Sequence, residues 1–234
     1  MVLPKGWTPA KGQLARILFD VGAVQFGEFK LKMHEEHPNA PLSPIFLNLR
    51  TADNPKKGPL TPAILDLIGQ QLCNACSEAQ LSFDHIAPVP NAGDPLARAL
   101  DSHTEPLSII WLDKTETEGK RKISGVKKDS TYKSRDKVLV VDDLITKADT
   151  KLEAIHSLED EGLIVNDVLV LVDREQGGAD ELKSAGYKLI SVFSLSDMLA
   201  FYVDDDKIFS REKQAVLTYR ERCDQYFKAL VASA

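Results

Sequence analysis

Cysteine is scarce in this 234-residue chain: Cys73, Cys76 and Cys223 are the full set. An odd, sparse set excludes the disulfide framework of a small secreted protein. Cys73 and Cys76 form a CxxC within "TPAILDLIGQQLCNACSEAQ", a run of helical pattern. Their i, i+3 spacing puts both on one helix face. No second ligand pair follows nearby, so they read as small core residues rather than a zinc or redox pair. No apolar run approaches membrane-spanning length. The opening "MVLPKGWTPAKGQ" lacks the apolar region of a signal peptide. These absences set the expectation of a cytoplasmic protein with no membrane partner. There is no internal repeat and no low-complexity segment. A net charge of −6 argues against a nucleic-acid partner or an anionic membrane surface.

What is present is ordinary globular material, 43% hydrophobic and 27% charged. The length suits one large domain, or one domain with a small appendage. Residues 13–24 carry Leu14, Ile17, Leu18 and Val21 at helical spacing. "FGEFKLK" and "SPIFLNLR" read as strands. Thr61 is expected to cap a helix with Pro62 at its first position. From there strand and helix alternate: "HIAPVP", "DPLARALDS", "LSIIWL", "KVLVV", "TKLEAIHSLEDEG", "DVLVLVD", "GADELKSAG", "YKLISVF" and "SLSDMLAFYV". Val216, Tyr219, Cys223, Tyr226 and Leu230 then mark a final amphipathic helix. Continuous apolar strands alternating with helices predict an α/β fold with a mostly parallel central sheet flanked by helices. Ligands of such sheets sit beyond the carboxyl ends of the strands.

One strand end stands out. The apolar run "VLVV" at 138–141 leads into Asp142 and Asp143, then Thr146, Lys147, Ala148, Asp149 and Thr150 as a helix begins. Adjacent carboxylates must be solvated, paired or used. As acceptors they suit a ligand rich in hydroxyls, and a helix N-terminus suits a phosphate. Acids first and anion cradle second fit a sugar phosphate. The plainer alternative is a capping Asp143 or Asp149 with a solvated Asp142.

"VLVVDDLITKADT" resembles the signature of type I phosphoribosyltransferases. "GAVQFGEFKLK", "SPIFLNLR" and "VLVLVDREQGGADELKSAGYKLISVFSLSDML" resemble segments of their orotate-specific members. The resemblance runs from about residue 14 to residue 199. It implies the phosphoribosyltransferase fold over residues 1–209, with a hood over about 1–59 and a lid over about 113–136. Residues 210–234 would be a C-terminal helix. It implies transfer of phosphoribosyl from phosphoribosyl pyrophosphate to orotate or a related base, with Mg²⁺, in a homodimer. Asp142 and Asp143 would hold the ribose hydroxyls, and Thr146 through Thr150 the 5′-phosphate. Lys114 stands near the position of the lid's catalytic lysine. Lys32 and Phe46 match positions near the orotate ring. Arg174 matches an arginine on the orotate carboxylate, a task suited to a planar guanidinium. Outside the family, Lys32 would be a surface strand residue, Phe46 a core residue and Arg174 a loop ion pair. The segment from Asp113 to Lys137 holds nine basic and five acidic residues, a basic island in an acidic chain.

Three segments depart from the family pattern, all on the donor side. Ala148 replaces the glycine of the phosphate loop, where a left-handed conformation would cost roughly 1 kcal/mol or more. Asp149 sets a carboxylate beside the expected phosphate. The lid opens "WLDKTETEGKRKISG", where Asp113 and two glutamates stand in place of cations that should meet pyrophosphate. The turn after "HIAPVP" carries Asn91 where tyrosine is usual, and Asp94, a candidate helix cap. Two readings follow: an orotate phosphoribosyltransferase-like enzyme, or a catalytically impaired paralogue that binds a base or nucleotide. A nucleic-acid-binding regulator finds no support in an acidic chain with no added winged-helix segment.

Overall fold

A computed structural model describes residues 3–105, 107–117 and 120–232, without the side chains of residues 32, 116, 117, 120, 121, 220, 231 and 232. Residues 118 and 119 of the expected lid thus lie outside the described residues. The chain forms two compact units. One comprises residues 1–49 and 196–234, the other residues 50–195.

The larger unit is built on one sheet. Its strands are β3 (His85–Pro88), β4 (Ser108–Ile109), β7 (Lys137–Ile145), β8 (Ile164–Asp173) and β9 (Lys188–Ser194). They run in the order β4-β3-β7-β8-β9, and every pairing is parallel. Val138–Val141 of β7 and Val168–Val172 of β8 are buried without alternation. That is the signature of strands covered on both faces, where each buried Val or Leu contributes about 1.5–3 kcal/mol. The covering helices are α2 (Pro62–Glu78), α3 (Asp94–Asp101), α4 (Asp149–Glu159) and α5 (Gly178–Ser184). Thr61 caps α2 as expected, its Oγ1 accepting from the Ile64 N–H at 3.4 Å. α4 buries Ala154, Ile155 and Leu158 in the core. Gly162, at φ +78°, ends the following turn.

The expected strand "LSIIWL" is split. Ile110 is fully buried, and the chain then leaves the sheet as an antiparallel hairpin, β5 (Leu112–Thr117) with β6 (Lys120–Val126). The hairpin base is anchored. Leu112 and Ile123 join the core, and the Ile123 N–H donates to Glu153 Oε2 of α4 at 3.3 Å.

The smaller unit holds α1 (Pro9–Asp20), β1 (Val24–Phe29), β2 (Ser43–Leu47), most of α6 (Leu195–Asp204) and α7 (Ser210–Ala232). Tyr202 locks α6 to α1, its hydroxyl donating to the Ala15 carbonyl at 2.8 Å in the interior. Arg16 adds a two-pronged contact to Asp205 at 2.7 Å. β1 and β2 pair antiparallel, Gln25 opposite Phe46. β2 alternates, burying Ser43, Ile45 and Leu47 and leaving Phe46 half-buried.

Candidate active site

β7 does not stop at Val141, as its apolar run predicts. It continues through both acids to Ile145. Asp142 and Asp143 are therefore strand residues, and both are buried. A buried carboxylate needs partners, and the fold supplies them from the next helix and from the backbone. Lys151, itself buried, reaches back from the first turn of α4. Its Nζ lies 2.5 Å from Asp142 Oδ2 and donates to the Leu144 carbonyl at 2.7 Å. Asp142 Oδ1 accepts from the Asp143 N–H at 2.9 Å, and Asp143 Oδ1 from the Leu144 N–H at 2.7 Å. Among the described residues, Asp143 has no cation of its own at contact distance. Burial, then the neighbouring Asp142 charge, push its carboxyl up to about 7, against the pull of Lys151, the Leu144 N–H and Arg50.

The turn after β7 corrects one expectation. Ala148 sits at φ −87°, ψ −7°, not in the left-handed region, so replacing glycine costs no backbone strain here. Its methyl is fully buried. Asp149 is exposed and opens α4. The carboxylate that meets the turn is Glu181, from α5. Glu181 Oε2 accepts from the Ala148 N–H at 2.8 Å, and Oε1 from Lys147 Nζ at 3.0 Å. Those two donors hold the Glu181 carboxyl below its usual range, the Ala148 amide contributing most.

Neither Lys151 nor Glu181 stood out in the sequence. Lys151 carried one signal: it shares a helix face with Ala154, Ile155 and Leu158, where a cation must find an anion. Glu181 carried none, because its partner lies 33 residues away.

Arg174 follows β8, and its N–H donates to the Ile145 carbonyl at 3.0 Å. The Gly178 N–H donates to the Thr146 carbonyl at 3.1 Å. A Cβ on Gly178 would lie 2.6 Å from Ile145 Cγ1, so the start of α5 rests directly on the turn after β7. Arg174, Thr146, Lys147 and the acid pair thus gather at the carboxyl ends of β7 and β8. Gly93 brings the β3–α3 turn to the same edge. A Cβ there would stand 2.5 Å from the Val141 carbonyl oxygen. Asp94 is not the expected cap; it is the first residue of α3, behind Gly93. Burial raises its carboxyl, opposed by the Asn91 N–H. Asn91 holds a left-handed φ of +76° and, with Asp94 and Arg98, borders a cleft of about 860 Å³ in this unit.

The remaining candidates lie on other elements. Lys114 is in β5, opposite Ile123. Lys32 opens a short 3-10 helix (Lys32–Glu35) in the smaller unit, not the strand expected of "FGEFKLK"; its side chain lies outside those described. Phe46 is on the half-buried face of β2, its ring centroid 5.6 Å from that of Phe29 of β1. It is not a core residue.

No family model matches the chain. Known proteins do. Uridine 5′-monophosphate synthase of Bos taurus is 33% identical over 198 residues, 84% of this chain and 38% of that protein. The chain thus spans well under half the length of the synthases it matches. The structure of Leishmania donovani UMP synthase superposes with a TM-score of 0.71 at 29% identity, over 91% of this chain and 42% of that one. Orotate phosphoribosyltransferase of Thermococcus kodakarensis is 30% identical over 191 residues, 82% of this chain and 94% of that protein. With the parallel sheet and the acid-bearing central strand already in place, that near-complete match settles the affiliation: the chain belongs to the orotate phosphoribosyltransferase family.

Proposed function

We propose that the chain transfers phosphoribosyl from phosphoribosyl pyrophosphate to orotate, releasing pyrophosphate and forming orotidine monophosphate. The observation that carries this is the acid pair on the central strand, followed at once by a helix start to which the Arg174 turn is tied. Asp143, which has no cation at contact distance among the described residues, would take the ribose hydroxyls, with Asp142 beside it. The turn from Thr146 to Thr150 would receive the 5′-phosphate. Arg174 would pair with the orotate carboxylate. Lys32 and Phe46 would serve the base, and Lys114 on the hairpin the pyrophosphate. The C1–oxygen bond to pyrophosphate breaks as a ring nitrogen of orotate bonds to C1, through an oxocarbenium-like transition state. Holding both reactants in line and neutralising the departing charge are then the main tasks of the chain.

Among the described residues no three His, Cys, Asp or Glu side chains cluster as a metal site. Two hard carboxylate groups on β7 nevertheless fit Mg²⁺ of the kind that is shared with substrate phosphates. Bound with the donor, Mg²⁺ would neutralise pyrophosphate charge. The homodimer and the cytoplasmic location belong to the same reading. No helix among the described residues is long and apolar enough to cross a membrane.

Calorimetry with phosphoribosyl pyrophosphate and Mg²⁺, then an absorbance assay with orotate, tests the proposal. Binding with turnover is expected, and Asp143→Asn should weaken both. A second reading has an observation of its own: Lys151 already neutralises Asp142. On that reading the chain is an impaired paralogue that binds base or nucleotide, and calorimetry would show heat without turnover.

A further inference from the structure

The helix start assigned above to the donor's 5′-phosphate already holds an anion of the chain's own. Glu181 accepts from the Ala148 N–H and from Lys147 Nζ, one carboxylate oxygen to each. These are a backbone amide at a helix start and a cation beside it, the two groups a phosphate would use. The contact is built in. Gly178 leaves no room between α5 and Ile145, and its N–H is bound to Thr146. Glu181, one turn further along α5, therefore faces the turn. The Glu181 side chain is 39% exposed and that of Lys147 54%. The pair borders solvent, and the carboxylate can rotate away without opening the core.

We infer that Glu181 is the specificity-determining residue of this anion seat: a phosphate ester binds here only by displacing the Glu181 carboxylate from Ala148 and Lys147. This rests on the reading that the turn after β7 takes the donor's phosphate. The competition has a direction. A carboxylate brings one charge, whereas a phosphate monoester brings between one and a half and about two charges with three acceptor oxygens. The seat therefore yields to a dianionic ester and resists monoanions. The displaced carboxylate remains tethered close by and repels the ester, so donor affinity is lower than the turn alone would give.

The experiment compares the full chain with Glu181→Gln and Glu181→Ala. Ribose 5-phosphate is the probe for the seat, phosphoribosyl pyrophosphate with Mg²⁺ the complete donor, and unphosphorylated ribose the control. Calorimetry should show both phosphate esters binding about tenfold more tightly to Glu181→Ala, and several-fold more tightly to Glu181→Gln, with ribose unchanged. Thermal unfolding of each variant verifies that the fold is kept. Equal affinity across the three proteins overturns the inference and leaves the donor reading standing. Weaker binding in the variants also overturns it, since Glu181 would then support the turn rather than occupy it. If no phosphate ester binds to any of the three, the donor reading fails and the inference falls with it.

Discussion

Helices α2 and α4 begin in the same unit with opposite solutions to the same need. The first amides of any helix lack intrahelical acceptors. α2 answers from its own sequence, with Thr61 three residues ahead of the amide it serves. α4 has no side-chain cap of its own, and its Ala148 amide borrows a carboxylate from α5. A local cap is part of the helix and stays with it. A borrowed cap is one side chain away from being exchanged for a ligand. The same contrast runs through the acid pair. Asp142 is tied to Lys151, whereas among the described residues Asp143 has only a backbone donor at contact distance.

The largest expected effect breaks the tied acid. Asp142→Ala leaves the Lys151 charge buried without its partner and should cost about 3–5 kcal/mol in denaturant unfolding. Adding Lys151→Met should recover most of that loss, because a buried pair replaced by apolar groups is often neutral or better. A double variant no more stable than Asp142→Ala would show that the ion pair is not what holds α4 to β7.

Asp143 should respond in the opposite sense. Its carboxyl is raised from an ordinary 3.8 to about 7. The folded chain thus retains a proton that the unfolded chain releases above about pH 4. Stability from this group is present below pH 4 and declines as pH rises to about 7. Asp143→Asn should remove that decline. Its melting temperature should exceed the parent's at pH 8 by about 2–4 °C per kcal/mol recovered, and match it near pH 4. A lower melting temperature at pH 8 would count against a strained charge at this position.

Thr61→Ala should cost about 1 kcal/mol, the usual worth of such a cap, read as a shift in the denaturant midpoint. Smallest of all, Glu181→Gln should leave the melting temperature unchanged within error, because a solvent-facing ion pair adds little. Together these two variants sharpen the contrast. The local cap carries stability, and the borrowed one carries selectivity.

Much of the larger unit was legible in the sequence. The buried runs of β7 and β8, the Thr61–Pro62 start and the Gly162 turn each report a short-range steric or burial rule. The limits of the strands were not legible. β7 overruns its apolar stretch because Lys151 and two backbone amides make its acids tolerable inside the sheet. "LSIIWL" breaks in two because the hairpin finds its anchor on α4. Lys32 falls in a 3-10 turn because β1 ends at Phe29. Ala148 escapes the strain of a left-handed loop because the loop is not left-handed.

The residues alone fixed the periodicities, and with them the parallel sheet, its central strand and the edge where acids, turn and Arg174 collect. Those features depend on neighbours within a few positions, so they can be read along the chain. Which charge answers which was decided only when the elements packed. Lys151 on Asp142 and Glu181 on Ala148 follow from where α4 and α5 land on the sheet, and electrostatic partners are set by distance in space, not by separation in sequence.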